Sequence, residues 1–418
     1  MRFRGSSDIV WVPVSSGSRG WGSNIGGKEL RKISIVAAVA ALLVLPVLMV
    51  SAPIMAAPPV QSKWTVMVYL DADNSLESFG WTNLQLLEQV GSTNNVNFIV
   101  LMDTLSGPAS LMRVDKGGVT VLADWGEVDM ASPATMTAFI HAAVKAAPAA
   151  RYAFDSWDHG GGWRGMNWDD TSSVATGTDQ FMNMTELRQA VVDGGVKFDV
   201  FAFDQCLMAQ PEVAYQLTGY ANYLVFSEET IYGQGFPYDT IARDLVANPN
   251  MDGLGLSKTI VQDFAQYYDS LTWANDWTIS AFDMKHMGEL TTAITHLGSA
   301  QLNDLAMYRS QFKNDLSNTI NYYYPYYSDL DQYALNVYAD KQIADPAVKT
   351  AANEVVKAIG GGVVLTMNSK HNYDSHGISI YFPQYRSSYL GLKPTYEQVP
   401  FAVDSGWLVW LQAFCSNK

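Results

Sequence analysis

Cys206 and His159 are the residues best placed by type and spacing to do chemistry. Cys206 ends the run Phe203-Asp204-Gln205-Cys206, and His159 stands 47 positions earlier in Trp157-Asp158-His159-Gly160-Gly161-Gly162-Trp163. A thiol becomes a nucleophile when its thiolate is populated, which an imidazole or a helix N-terminus nearby promotes. A His roughly 50 residues ahead of a Cys is one arrangement that pairs a base with such a nucleophile. The glycines after His159, Gly160 and Gly161 first, let backbone N–H groups approach a developing oxyanion. Residues 207–217 read as a helix starting directly after Cys206, whose N-terminal partial charge would favour the thiolate. Blander readings exist for each residue. A Cys at a strand end is commonly a small buried hydrophobe, and a His there a satisfied polar group. Asp158, His159 and Asp204 also offer ligands for a metal-dependent hydrolase, although no second His pair completes such a site.

The elements that must position these residues alternate between strand and helix. Apolar runs rich in β-branched and aromatic residues predict buried strands over residues 64–70, 96–102, 151–157, 198–203 and 223–226. A hairpin is expected over residues 110–123, broken at Lys116-Gly117-Gly118. Helices are expected to about residue 90 with Asn74 as N-cap and Glu77 three residues on, and over residues 134–147 and 185–192. Strands apolar almost throughout and separated by helices mean a mostly parallel sheet covered on both faces. His159 and Cys206 then each follow the carboxyl end of a strand, where reactive groups gather in open α/β sheets. Beyond residue 250 the pattern predicts helices over 256–268, 286–297, 300–316 and up to about 359, the last capped by Asp345 with Pro346 in its first turn. Strands are expected over 277–281, 361–367 and 377–382. The five tyrosines of residues 321–327 read as a loop or interface cluster.

Composition narrows the function classes. The chain has 418 residues with 48% hydrophobic and 16% charged residues, enough apolar content for a large core. Its formal net charge of -15 argues against nucleic-acid binding, which needs clustered Lys and Arg. Two cysteines exclude a disulfide framework. Near the N-terminus, Lys28, Arg31 and Lys32 precede an apolar run over residues 33–50 and small residues at Ala56 and Ala57. This predicts a secretory signal cleaved near Ala57, the other reading being an uncleaved membrane anchor at residues 33–50. The mature part would carry 39 acidic against 20 basic residues. The protein is therefore expected to be secreted or extracytoplasmic, touching a membrane only through an uncleaved N-terminal segment.

The blocks TVMVYLDADNSLE at residues 65–77, WDHGGGWRG at 157–165, FDQCLMAQPEVAYQL at 203–217 and SEETIYGQGFPY at 227–238 resemble the clostripain family of cysteine peptidases, relatives of caspases, gingipains and legumains. Weaker echoes carry the resemblance to about residue 415. It implies an α/β caspase-like fold: a mostly parallel sheet with helices on both faces, plus a C-terminal α/β extension. The corresponding division is an upstream segment and signal at 1–57, a catalytic core at 58–250 and a continuation of the peptidase unit at 251–418. It implies a Cys–His dyad, Cys206 as nucleophile and His159 as general base and acid. It also implies protein or peptide substrates with Arg or Lys at P1, held by Asp204 in the S1 pocket through a bidentate carboxylate–guanidinium pair. A second substrate-binding acid is implied further on. Residues 230–238 contain no Asp or Glu, so Glu228, with Glu229 beside it, is the nearest candidate.

Some members of that family bind calcium and mature by self-cleavage. Asp71, Asp73 and Asn74, and Asp169 with Asp170, are oxygen-ligand clusters without EF-hand spacing. No cofactor is otherwise required by the expected chemistry. Residues 165–179 read as a loop in which cleavage would fall, yet residues 166–184 contain no Lys or Arg. An enzyme selecting basic P1 residues is thus expected to remain a single chain. A secreted, non-catalytic binding module on the same fold is the alternative to an endopeptidase, and the intact His-Gly and Asp-x-Cys blocks argue for the enzyme.

Overall fold

A computed structural model describes residues 61–416; the expected signal or anchor lies outside the described residues. Thirteen strands are formed among the described residues: β1 (Ser62–Ala72), β2 (Val96–Thr104), β3 (Gly107–Asp115), β4 (Gly118–Gly126), β5 (Ala149–Trp157), β6 (Met166–Asp169), β7 (Gln180–Met182), β8 (Phe198–Asp204), β9 (Ala221–Phe226), β10 (Thr278–Asp283), β11 (Tyr327–Asp329), β12 (Val363–Asn368) and β13 (Ser379–Tyr381). Nine of them make one sheet in the order β12-β10-β9-β8-β5-β1-β2-β3-β4. The five central strands, β9-β8-β5-β1-β2, are parallel. Antiparallel pairs extend both edges, β3 and β4 on one side and β10 and β12 on the other.

Successive side chains of a strand point to opposite faces, so a strand covered on both sides must be apolar at every position. Along β1, Met67 and Tyr69 pack into one core with Phe154 and Phe201. Val68 and Leu70 pack into the other with Ala153 and Val200. Helices Pro133–Ala146, Met184–Gly194, Met287–Asn303 and Pro346–Gly362 cover the first face, and Glu77–Glu88, Tyr238–Ala247 and Gly253–Asp269 the second. Local signals hold at several ends. Asn183 and Glu186 close a capping box, Gly195 ends that helix in the left-handed conformation, and Asp345 caps the helix that Pro346 begins.

Three local expectations give way, and a fourth segment forms the strand expected of it but outside the large sheet. Residues 207–210 are not helical, and a helix of only four residues, Pro211–Ala214, precedes a 3-10 turn. Pro211 disfavours the helical region for Gln210 and so delays the helix to its own position. Asn74 does not cap the helix that starts at Glu77; its side chain is drawn instead to Asp158 and to the carbonyl of Trp168. The expected loop at residues 165–179 holds the ribbon β6–β7 and a short helix, Asp170–Thr176, whose cap Asp169 accepts from Ser172 N at 2.7 Å. The segment at residues 377–382 misses the large sheet and pairs with β11. Gly377 N donates to the buried Glu228 carboxylate, and Ser379 N to the Ala209 carbonyl, so its polar groups are satisfied beside the loop after Cys206.

Candidate active site

The parallel register aligns the carboxyl ends of β1, β5 and β8: Leu70 lies opposite Trp157, and Trp157 opposite Asp204. The residues that follow each end therefore meet at one edge. Asp73 to Ser75 follow β1, Asp158 and His159 follow β5, and Gln205 and Cys206 follow β8. His159 and Cys206 both line a cavity of about 430 Å3 together with Ser75, Gly160, Arg164, Thr230, Tyr323 and Tyr324. They also line a smaller one of about 200 Å3 with Asp204, Trp157, Ile231, Tyr232 and Gly235.

The backbone around the thiol is held under constraint. Leu207 adopts a left-handed φ of 67°, uncommon for a non-glycine residue, while its N–H donates to Glu229 O at 3.1 Å. Tyr323, on the cavity wall, is also left-handed, as is Asn167, which receives a bond from Gln205 Nε2. Gly160 admits no side chain, because a Cβ there would stand 2.3 Å from Cys206 O. The N–H of Gly161 is committed to Gly165 O at 2.9 Å and its carbonyl to the Tyr327 hydroxyl. Among the described residues the N–H groups of Gly160 and Cys206 donate to no protein acceptor, which leaves them open beside Sγ.

Ser75 Oγ lies 3.1 Å from His159 Nε2, and Gln205 Nε2 donates to the His159 carbonyl at 3.2 Å. Burial lowers the imidazole pKa, opposed by the charge of Asp170. The ring is therefore neutral at pH 7 and able to accept a proton. Burial pushes the Cys206 thiol up to about 11, further raised by Asp204, against the lowering effect of the Ile231 N–H. That N–H donates to Sγ at 3.3 Å. The expected helix N-terminus at the sulfur is absent, and the Ile231 N–H is the group that lowers the thiol pKa. No hydrogen bond joins His159 and Cys206 among the described residues, a separation common in unliganded sites.

Asp204 is buried and lines the smaller cavity. Its Oδ2 accepts from Phe236 N at 2.7 Å and faces the Tyr238 hydroxyl at 3.1 Å. The same hydroxyl lies 2.5 Å from Asp155 Oδ2. One phenolic proton is thus shared between two buried carboxylates. Burial raises both, Asp155 to about 7, and Asp155 raises Asp204 further. Gly235, at φ 65°, must be glycine, since a Cβ would lie 2.5 Å from Asp204 Oδ2. Glu228 lines neither cavity. It is fully buried, and its Oε2 accepts from Gly377 N at 3.0 Å, which ties it to the C-terminal segment.

The metal-hydrolase arrangement does not assemble. Asp158 spends Oδ1 on Asn74 Nδ2 and Oδ2 on Trp168 N, and Asp204 spends Oδ2 on Phe236 N. Among the described residues the carboxylates that converge are Asp73, Asp103 and Glu127. Sequence reasoning missed Ser75, Asp155 and Tyr238, and it read Asn74 as a helix cap or oxygen ligand and not as a partner of Asp158. Ser75 and Asn74 lay inside a quoted block, while Asp155 and Tyr238 carried no local signal because their pairing spans 83 positions.

Comparison with known proteins bears on this arrangement. Clostripain of Hathewaya histolytica is 26% identical over 293 residues, covering 56% of this chain and 56% of its own, so the chain spans about half the length of that relative. A secreted C11 cysteine protease from Bacteroides thetaiotaomicron, solved with an irreversible peptide inhibitor, superposes with a TM-score of 0.66 at 22% identity over 83% of this chain and 99% of its own. An inactive zymogen C11 protease from Parabacteroides distasonis gives 0.63 at 24% identity over 84% and 99%. These likenesses carry the fold, a mixed and mostly parallel sheet between helical layers. The family model described as the clostripain family matches residues 68–412, nearly the whole described length, and the chain belongs to that family of cysteine peptidases.

Proposed function

We propose that the protein is an exported cysteine endopeptidase that cleaves after Arg or Lys, with Cys206 as nucleophile and His159 as base and acid. The observation that carries this reading is that Cys206, His159 and the buried Asp204 line one cavity of about 200 Å3. A neutral imidazole and a protonated thiol favour attack assisted by His159 at the moment substrate binds, rather than a standing ion pair. Sγ bonds to the scissile carbonyl carbon while His159 takes the thiol proton. The oxyanion accepts from the N–H groups of Gly160 and Cys206. As the C–N bond breaks, the imidazolium returns that proton to the leaving amine. Water, deprotonated by His159, then releases the acyl group and restores the thiol. Ser75 Oγ, 3.1 Å from Nε2, positions the ring between these steps.

Asp204 selects the cation. Both its side-chain hydrogen bonds fall on Oδ2, which leaves Oδ1 for a guanidinium or ammonium in the cavity. Arg164 and the tyrosines 323 and 324 form the wall of the wider cavity, where residues preceding P1 would lie. Calcium, where bound, would be held by Asp73, Asp103 and Glu127 and would supply a structural charge, since none of these lines either cavity. Export is supported by the charged and apolar segment at residues 28–57, and no described helix is long and apolar enough to cross a membrane. The test is a peptide-library digest by the protein lacking residues 1–57, with Cys206→Ala as control. Cleavage after Arg or Lys that vanishes in the variant is expected; turnover retained by Cys206→Ala refutes the nucleophile.

A further inference from the structure

An arginine stays charged at every working pH, so a guanidinium drawn partly out of water must find anions, aromatic faces or polar oxygens. Arg164 is the one Lys or Arg that lines either cavity at the thiol among the described residues, in a chain whose formal net charge is -15. It forms no ion pair among the described residues, not even with Asp170, which lines the same cavity. Tyrosines hold it instead. Its Cζ stands 5.3 Å from the centroid of the Tyr324 ring, and Nη1 donates to the Tyr326 hydroxyl at 3.4 Å. Tyr324 and Tyr326 are themselves stacked, with centroids 5.0 Å apart and planes 6° from parallel.

The backbone beneath this cation is fixed as well. Arg164 closes the 3-10 turn Gly162–Arg164, shortly after His159. Trp163 is buried, and its N–H donates to Gln210 Oε1 at 2.9 Å. The Tyr327 hydroxyl donates to Gly161 O at 2.6 Å, which ties the turn to the tyrosine segment. A guanidinium stacked on an aromatic face keeps N–H groups at its edge for other partners, and that planar fork matches a carboxylate. Arg164 is half-buried, so a carboxylate arriving there meets a charge screened less than one in open water.

We propose that Arg164 is a specificity-determining residue that selects substrates with an acidic side chain, Glu or Asp, at P2 or P3. This rests on the peptidase reading given above, in which the P1 side chain fills the smaller cavity. Cys206 and His159 line both cavities, so residues joined to P1 enter the wider one, which Arg164 lines. Preferred substrates then carry opposite charges on near neighbours, the cation taken by Asp204 and the anion by Arg164. An arginine that only closed the tyrosine cluster would leave cleavage indifferent to charge at P2 and P3.

The full chain is assayed on peptides with Arg at P1 and Glu, Gln or Lys at P2 and, separately, at P3. At one of these positions the wild type should cleave the Glu peptide with a kcat/KM about tenfold above that of the Gln peptide, and the Lys peptide should be the poorest. Arg164→Gln should bring the ratio of Glu to Gln close to one, Arg164→Lys should retain part of it, and Arg164→Glu should reverse the order in favour of Lys. Because each ratio compares two peptides on one enzyme, a general loss of activity in a variant leaves it readable. Equal cleavage of the Glu and Gln peptides by the wild type overturns the inference while the peptidase reading stands, since Arg at P1 is still cut. A Glu preference undiminished in Arg164→Gln also overturns it. No cleavage of any of these peptides overturns both readings.

Discussion

Replacing Asp204 by Asn keeps the side-chain shape and an oxygen for Phe236 N and the Tyr238 hydroxyl, yet removes the charge that would face a bound arginine. The size of the effect follows from the burial of that carboxylate. A unit charge about 4 Å from a guanidinium at an effective dielectric of about 20 interacts by about 4 kcal/mol. Dipoles of the substituted amide recover part of this, so a net loss of about 3 kcal/mol is expected, roughly 10²-fold in kcat/KM. The assay compares two peptides that differ only at P1, one with arginine and one with citrulline, its uncharged isostere. Wild-type enzyme should prefer arginine by about that factor, and Asp204→Asn should bring the ratio close to one while leaving citrulline cleavage within a few-fold. A ratio that stays at the wild-type value in Asp204→Asn would show that the cation is recognised elsewhere. Loss of both activities together would point instead to a collapsed cavity, which circular dichroism and the unfolding midpoint would reveal.

If Asp204 binds the P1 cation, the shared proton of Asp155, Tyr238 and Asp204 should make arginine binding pH-dependent. Both acids are raised by burial, Asp155 to about 7, so below pH 7 the pair holds an extra proton and attracts a guanidinium less. KM for the arginine peptide should fall as pH rises from 6 to 8 while KM for the citrulline peptide stays flat; parallel profiles would exclude the coupling. The exposed stretch around residues 174–179 lacks Lys and Arg, so protein incubated with calcium should run as one band. Fragments split between residues 165 and 196 that appear in the wild type but not in Cys206→Ala would contradict both the single chain and the basic P1 preference. N-terminal sequencing of exported protein should begin near Ala57 or Pro58; a soluble cytoplasmic product with residues 1–30 intact would overturn export.

The large elements were legible because their signals are local and redundant. A strand buried on both faces is apolar at most consecutive positions, and 64–70 and 198–203 are so by composition, with Thr65 and Asp199 as their only polar residues. His159 and Cys206 were legible for the same reason, as polar residues placed where such runs stop. The helix expected after Cys206 failed at one residue: Pro211 outweighed the apolar spacing around it, and the thiol lost the charge that a helix end would have lent. Asn74 had the right type and offset for a cap, but its Oδ1 accepts from Leu76 N, ahead of the helix, while its Nδ2 donates across 84 and 94 positions to Asp158 and Trp168. Glu228 had the right charge beside the right segment, and the end of β9 turned it toward Gly377.

Chain order and residue type by themselves determined the parallel sheet, the strand ends and the placing of His159 and Cys206 just past two of them, because hydrophobic periodicity and strand termination depend on neighbours in sequence. Tertiary structure alone decided which acids meet. Asp155 joins Asp204 through a tyrosine 83 positions away, and Asp73 meets Asp103 and Glu127 because β1 pairs with β2 and the β3–β4 hairpin folds back beside them. The field at a carboxylate depends on distance through space and on exclusion of water, and neither quantity is a function of separation along the chain.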